Sequence, residues 1–152
     1  RLKNNKEKHI PIIVIDNNLR IPFNSKILKN ISKKRVIIFT SKKNKKSSNL
    51  VKLGCEIINC KVNKKNKLNL KSIFKRIYSL NISDILVEAG GILFTELMKN
   101  KLVDEVHIFK SEIIIGPNGK PAYLNKKIEN LKLSLQETRK FKNDTYFNFD
   151  IV

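Results

Sequence analysis

Apolar and polar positions follow two periods along this chain, and the switches between them mark out an alternating series of strands and helices. Ile10 to Ile15 is a continuous apolar run broken only by Pro11, and Asp16, Asn17 and Asn18 close it with turn chemistry, which predicts a strand. Val36 to Thr40 predicts a second strand. Lys42 to Ser48 reads as a charged loop, Asn49 to Leu53 as a helical turn stopped by Gly54, and Cys55 to Cys60 as a third strand. Beyond the linker Lys61 to Lys67, residues Leu70, Ile73, Phe74, Ile77 and Tyr78 recur with the spacing of one helix face, so Leu68 or Asn69 opens a helix lasting to about Leu80. Ile85, Leu86 and Val87 predict a fourth strand. Leu93, Leu97 and Met98, with Phe94 and Leu102 close to the same stripe, predict an amphipathic helix after it. Val106 to Phe109 predicts another strand, and Ile113 to Ile115 an apolar run ending in a turn at Gly116 to Gly119. Leu131 to Phe141 and Thr145 to Val152 alternate apolar with polar residues across Lys142, Asn143 and Asp144, the pattern of an antiparallel hairpin. Together these elements predict a largely parallel α/β sheet with an antiparallel edge.

The junction between the fourth strand and its helix carries the chemistry. Glu88, Ala89, Gly90 and Gly91 separate the two, which sets a glycine pair at the helix start. There the backbone N–H groups lack partners inside the helix and the macrodipole favours negative charge, so main-chain donors can hold a phosphate. Glycine has no Cβ to keep the phosphate away. A glycine pair here also serves plain tight turns. Glu88 adds to the phosphate reading: a carboxylate at the C-terminal end of a central strand is costly to desolvate without partners, and ligands of open α/β sheets bind beyond those strand ends.

Composition narrows the classes. A chain of 152 residues, 41% of them hydrophobic, builds one domain core and leaves no room for a second of similar size. No apolar stretch approaches the roughly 20 residues that span a bilayer, and nothing after Arg1 to Lys8 has a signal-peptide pattern, so the expectation is a cytoplasmic protein with no membrane partner. Cys55 and Cys60 fit neither a zinc knuckle nor a redox CxxC, His9 and His107 lie far from them, and no metal is implied. The formal charge of +19 suggests nucleic acid. Against that, lysine far outnumbers arginine and is spread over every loop, with local clusters only at Lys42 to Lys46 and Lys64 to Lys67 and no interleaved aromatics for bases to stack on. The excess of lysine, asparagine and isoleucine is what AAA, AAT and ATT codons produce. A positive field would still attract phosphorylated small molecules.

VEAGG at Val87 to Gly91, KLVDEVHIF at Lys101 to Phe109, IIIG at Ile113 to Gly116 and PIIVIDNNLRIP at Pro11 to Pro22 resemble, in order and spacing, the C-terminal reductase domain of bacterial riboflavin-biosynthesis deaminase/reductases. The resemblance implies a dihydrofolate-reductase-like fold, a three-layer α/β/α arrangement with a mostly parallel sheet and a C-terminal antiparallel hairpin. It implies an NADPH-dependent oxidoreductase that reduces 5-amino-6-(5-phosphoribosylamino)uracil, a phosphorylated pyrimidine, to its ribitylamino product. Carried over by position, the family's substrate-contacting glutamate falls on Glu88, and its cofactor loop falls on Gly90, Gly91, Ile92, Leu93, Phe94, Thr95 and Glu96. A substrate-contacting arginine matches Arg1, and a small polar cofactor contact after the strand aspartate matches Asn17, where serine is commoner. No catalytic residue is singled out. Glu112 stands where the family usually has proline.

The resemblance also carries expectations about the rest of the protein. The family's reductase domain begins with a strand and helix that do not precede Arg1, and the zinc deaminase signature HxE with PCxxC is absent, so the chain is expected to be the C-terminal piece of a longer product with a deaminase domain upstream. The resemblance leaves room for a homodimer. Two other function classes stay open, a dihydrofolate reductase-type enzyme and a non-enzymatic basic nucleic-acid-binding domain. Among the remaining polar residues, Asp104 and Glu105 read as turn or backbone partners, His107 as the opposite face of its strand from Val106 and Ile108, and Arg20 as a lead into the turn at Pro22.

Overall fold

A computed structural model describes residues 10–124 and 131–152, which divide into two compact units, one running up to Leu80 and the other starting at Asn81. The first unit is built on a parallel sheet of β1 (Ile12–Ile15), β2 (Val36–Thr40) and β3 (Glu56–Asn59), in that order. β2 lies in the middle, paired with β1 from Ile12↔Val36 to Ile15↔Phe39 and with β3 from Ile37↔Glu56 to Thr40↔Asn59. Its sequence explains that place: VIIFT is apolar at four consecutive positions, so both faces can be covered, and all five residues are buried. Val36 and Ile38 join Leu19, Ile21, Leu28, Leu50 and Cys55 in one core cluster. Between β1 and β2 the chain runs through turns and a short 3-10 segment, Ile31–Lys33.

Two helices complete this unit, and each is started by an asparagine. α1 spans Lys45–Lys52, four residues longer at its start than the turn expected from Asn49. The lysines of the expected charged loop mask a capping box: Asn44 Oδ1 accepts from the Ser47 amide at 3.1 Å, and Ser47 Oγ accepts from the Asn44 amide at 3.0 Å. Ser47 and Leu50 face inward, and the lysines stay on the solvent side. At the other end Gly54 takes φ 105°, the Cys55 amide bonds Leu50 O and the Gly54 amide bonds Val51 O, a Schellman stop that a side chain at position 54 would strain. α2 spans Leu70–Tyr78 with Asn69 as its cap, and it buries Ile73 and Ile77. The expected linker is pinned by an isolated antiparallel bridge between Val62 and Leu68.

The second unit opens with the stretch from Asn81 to Gly90, followed by α3 (Gly91–Lys99) and an antiparallel sheet of β4 (Glu105–Lys110), β5 (Leu133–Phe141) and β6 (Asp144–Ile151). The strand order is β4-β6-β5, so the expected terminal hairpin is there and β4 widens it to three strands. The hairpin turns at Lys142, which has φ 54°, and one bulge shifts the register between Leu135 and Glu137. The fourth strand expected at Ile85 to Val87 is not formed among the described residues: residues 82–90 join no ladder there, and Leu86 is 83% exposed. An apolar, β-rich run supplies only the preference for extended backbone. A strand also needs a hydrogen-bonding neighbour, and residues 82–90 have none among the described residues. The run Ile113 to Ile115 likewise joins no ladder and is exposed.

Candidate active site at the start of the third helix

α3 begins differently from the other two helices. Its cap residue is Gly90, with φ −74° and ψ 166°, which has no side chain to bond the opening amides. The first turn of a helix holds N–H groups with no partner of their own inside the helix, so the end is open to an acceptor from outside. The two glycines have separate reasons to be glycine. A Cβ added at Gly90 would meet nothing within 4 Å, so the backbone there is open to approach by a ligand. A Cβ at Gly91 would lie 2.6 Å from Pro121 O and 3.4 Å from Ala122 O, so glycine at 91 lets the 121–122 backbone pack against the helix start.

Thr95, one turn further on, ties the same segment down. It is completely buried, and its hydroxyl donates to Gly91 O at 2.6 Å and accepts from the Leu124 amide at 2.8 Å. Sequence reasoning placed Thr95 in the cofactor loop without seeing this role; the signal was a hydroxyl sitting on the buried stripe with Leu97 and Met98, four residues after Gly91. Removing the hydroxyl would strip a half-buried amide of its acceptor, a change that costs about 1 kcal/mol. Of the other loop residues, Leu93, Phe94 and Glu96 are half-buried and Ile92 is 67% exposed. Glu88 lies exposed in the extended segment two positions before the cap, so its carboxylate is open to a ligand.

Asn17 belongs to the first unit, directly after β1. Its carbonyl accepts from Thr40 Oγ1 at 3.0 Å and Ser41 Oγ at 3.3 Å, and its side-chain Nδ2 donates to Asn66 O at 2.8 Å. Its Oδ1 is buried without a hydrogen-bond partner among the described residues, a polar atom with acceptor capacity to spare. Asp16 beside it accepts from the Ile21 amide at 2.8 Å and so shapes the turn that follows the strand. The structure thus gathers Glu88 and Gly90 to Glu96 on one short stretch and leaves Asn17 in the other unit; Arg1 lies outside the described residues.

The backbone carbonyl of Asp104, one residue before β4, accepts from the Ile151 amide of β6. His107 is exposed next to buried Val106, with Nδ1 2.8 Å from Tyr146 Oη and Nε2 3.3 Å from Glu105. Burial pushes both cysteine thiols up from their usual pKa, which disfavours the reactive thiolate. Among the described residues no three His, Cys, Asp or Glu side chains cluster as a metal site, and no helix is long and apolar enough to cross a membrane.

A parallel sheet, a glycine-led helix and an antiparallel terminal sheet in this order define a protein of the dihydrofolate-reductase-like fold. A solved structure of RibD from Acinetobacter baumannii shares it with a TM-score of 0.75 at 19% identity, matching 92% of this chain and 37% of that one. The RibD C-terminal domain pattern matches residues 1–147, and the chain belongs to that family. Over 110 residues it is 30% identical to the riboflavin biosynthesis protein RibD of Aquifex aeolicus, covering 72% of this chain and 29% of that protein. It is 33% identical over 85 residues to the 5-amino-6-(5-phosphoribosylamino)uracil reductase of Buchnera aphidicola, covering 56% of this chain and 40% of the relative. The chain therefore spans well under two thirds of the length of either relative.

Proposed function

We propose that this chain is the reductase part of a riboflavin-pathway enzyme, which uses NADPH to reduce 5-amino-6-(5-phosphoribosylamino)uracil to its ribitylamino product. The observation that carries the reading is the uncapped, glycine-led start of α3, set two residues after an exposed glutamate. The residues present fit the cofactor: Gly90 leaves its backbone open where a Cβ would stand, and the helix start offers main-chain donors and a positive dipole end to a diphosphate. Asn17, with its spare buried acceptor, is the second contact that the family resemblance assigns to the cofactor. When bound, the reduced nicotinamide would supply a hydride to the sugar carbon nearest the pyrimidine, and that carbon's bond to the ring oxygen breaks as the oxygen takes a proton from solvent. Glu88 holds and orients the ribosyl part of the substrate for that transfer, and Arg1 is the second substrate contact.

The surplus of lysine favours NADPH over NADH, because the extra 2′-phosphate meets a positive field. A cytoplasmic location goes with this reading, as do a deaminase domain upstream and a homodimer in the full-length protein. The test is Glu88→Gln in the full-length enzyme. Loss of an orienting contact should cut turnover by about 10²-fold while NADPH affinity, measured by fluorescence titration, stays near wild type. Unchanged turnover with earlier melting would make Glu88 a structural residue and remove it from the site.

A further inference from the structure

Resting on the reductase reading above, we propose that Thr95 is a positioning residue, which acts on the cofactor diphosphate through the 121–124 segment and makes no contact with it. The geometry runs in one direction. The Thr95 hydroxyl gives its single proton to Gly91 O, within the helix, and so turns its oxygen lone pairs to the Leu124 amide. Both roles of the hydroxyl are thereby filled inside a fully buried site, leaving no donor for a phosphate. The docked segment in turn brings Pro121 O to the Cα of Gly91, where no side chain would fit. Pro121 and Ala122 close one side of the helix start with carbonyl oxygens that a phosphate avoids, and Gly90, with nothing within 4 Å of its missing Cβ, leaves the other side open. Thr95 therefore fixes the direction from which an anion reaches the helix, and Gly91 is the glycine that allows the wall to stand.

The experiment compares Thr95→Val and Thr95→Ser with wild type in the full-length protein, by hydrogen exchange at the Leu124 amide and by NADPH titration. Thr95→Val keeps the side-chain shape and removes the hydroxyl. Protection at Leu124 should fall by at least about 10-fold, the NADPH dissociation constant should rise by a similar factor, and KM for NADPH should rise more than kcat falls. Thr95→Ser, which retains the hydroxyl, should restore both the protection and the affinity. If Thr95→Val fails to fold, Thr95→Ser together with Thr95→Ala decides the matter through the same two measurements. Loss of Leu124 protection with unchanged NADPH affinity, or loss of affinity with Leu124 still protected, overturns the proposal. A wild-type protein that binds no NADPH instead overturns the function reading itself, and the Leu124 exchange still reports whether Thr95 docks the segment.

Discussion

The two units of this chain treat their helix starts in opposite ways. In the first, α1 and α2 are closed by their own side chains, with Asn44 and Ser47 capping each other and Asn69 bonding the Ser72 amide. In the second, α3 starts on a glycine that caps nothing. Against glycine, a side-chain cap stabilises a helix by only about a few tenths of a kcal/mol, so the open start of α3 forgoes little stability. Elsewhere the contrast is one of degree: β2 is buried at every residue and lies between two partners, although Ile10 and Tyr78 of the first unit are exposed and Asn17 Oδ1 is left without a partner among the described residues. The second unit keeps Leu86, Phe109 and Ile113 to Ile115 exposed and leaves residues 82–90 outside any ladder. The difference teaches where to look for function: the groups a fold leaves unsatisfied are those available to a ligand.

The sharpest way to break this comparison is to substitute the two glycines separately. Gly91→Val would drive a Cβ to within 2.6 Å of the Pro121 carbonyl, a backbone atom that can yield only if the 121–122 segment moves. Overpacking of this kind costs about 1–3 kcal/mol, read as a lower denaturation midpoint with unchanged slope. NADPH binding should fall with it, as a consequence of the displaced 121–122 segment. Equal stability of Gly91→Val and wild type would show that the segment does not pack there.

Next in size is a pair of cap exchanges with opposite signs. Asn44→Ala removes a working cap from α1 and should lower stability by about 1 kcal/mol. Gly90→Asp supplies the cap and charge that α3 lacks, and its backbone angles suit any residue, so stability should rise by about 0.5 kcal/mol. The same aspartate would occupy the opening and repel a diphosphate, so NADPH affinity should drop by more than about 10-fold as the protein melts later. A variant that gains stability and keeps its affinity would show that the α3 start is not the phosphate site.

Much of the first unit was legible because its signals are local. Val36 to Phe39 is apolar without a break and, with Thr40, became β2 with the expected bounds, and Asn69 stands one residue before the periodic run it caps. The α1 start was hidden, since Lys42 to Lys46 looks like a solvated loop and only the Asn44–Ser47 reciprocity shows the helix. In the second unit the glycine helix was legible from its stripe. The pairing state of Ile85 to Val87 was not, because a strand depends on a neighbour that its own residues do not specify. Nor was the reason for Gly91, which is a contact with Pro121, thirty positions away in the chain. Long-range contacts of that kind leave no periodicity to read.

The smallest expected effect separates two exposed arginine–glutamate ion pairs, one between strands and one within a strand. Arg35 Nε lies 2.8 Å from Glu56 Oε1 and joins the residue before β2 to the first residue of β3, and the guanidinium holds the Glu56 carboxyl below its usual pKa. Glu137 and Arg139 also pair, but two positions apart on β5, so their contact joins nothing that the strand does not already hold. The Arg35 and Glu56 side chains are 39% and 47% exposed, so screening by solvent limits their pair to under about 1 kcal/mol. A carboxyl whose folded pKa is depressed contributes its stability above the unfolded value, near 4.3 for glutamate, and loses it as pH falls through the lower folded value. Glu56→Gln should therefore melt slightly earlier than wild type at neutral pH, and the gap should close as the pH drops through the acid range. Glu137→Gln should melt with wild type throughout. A Glu56→Gln gap that persists unchanged in acid would assign its effect to packing, and the cross-strand pair would then have no part in closing the first unit.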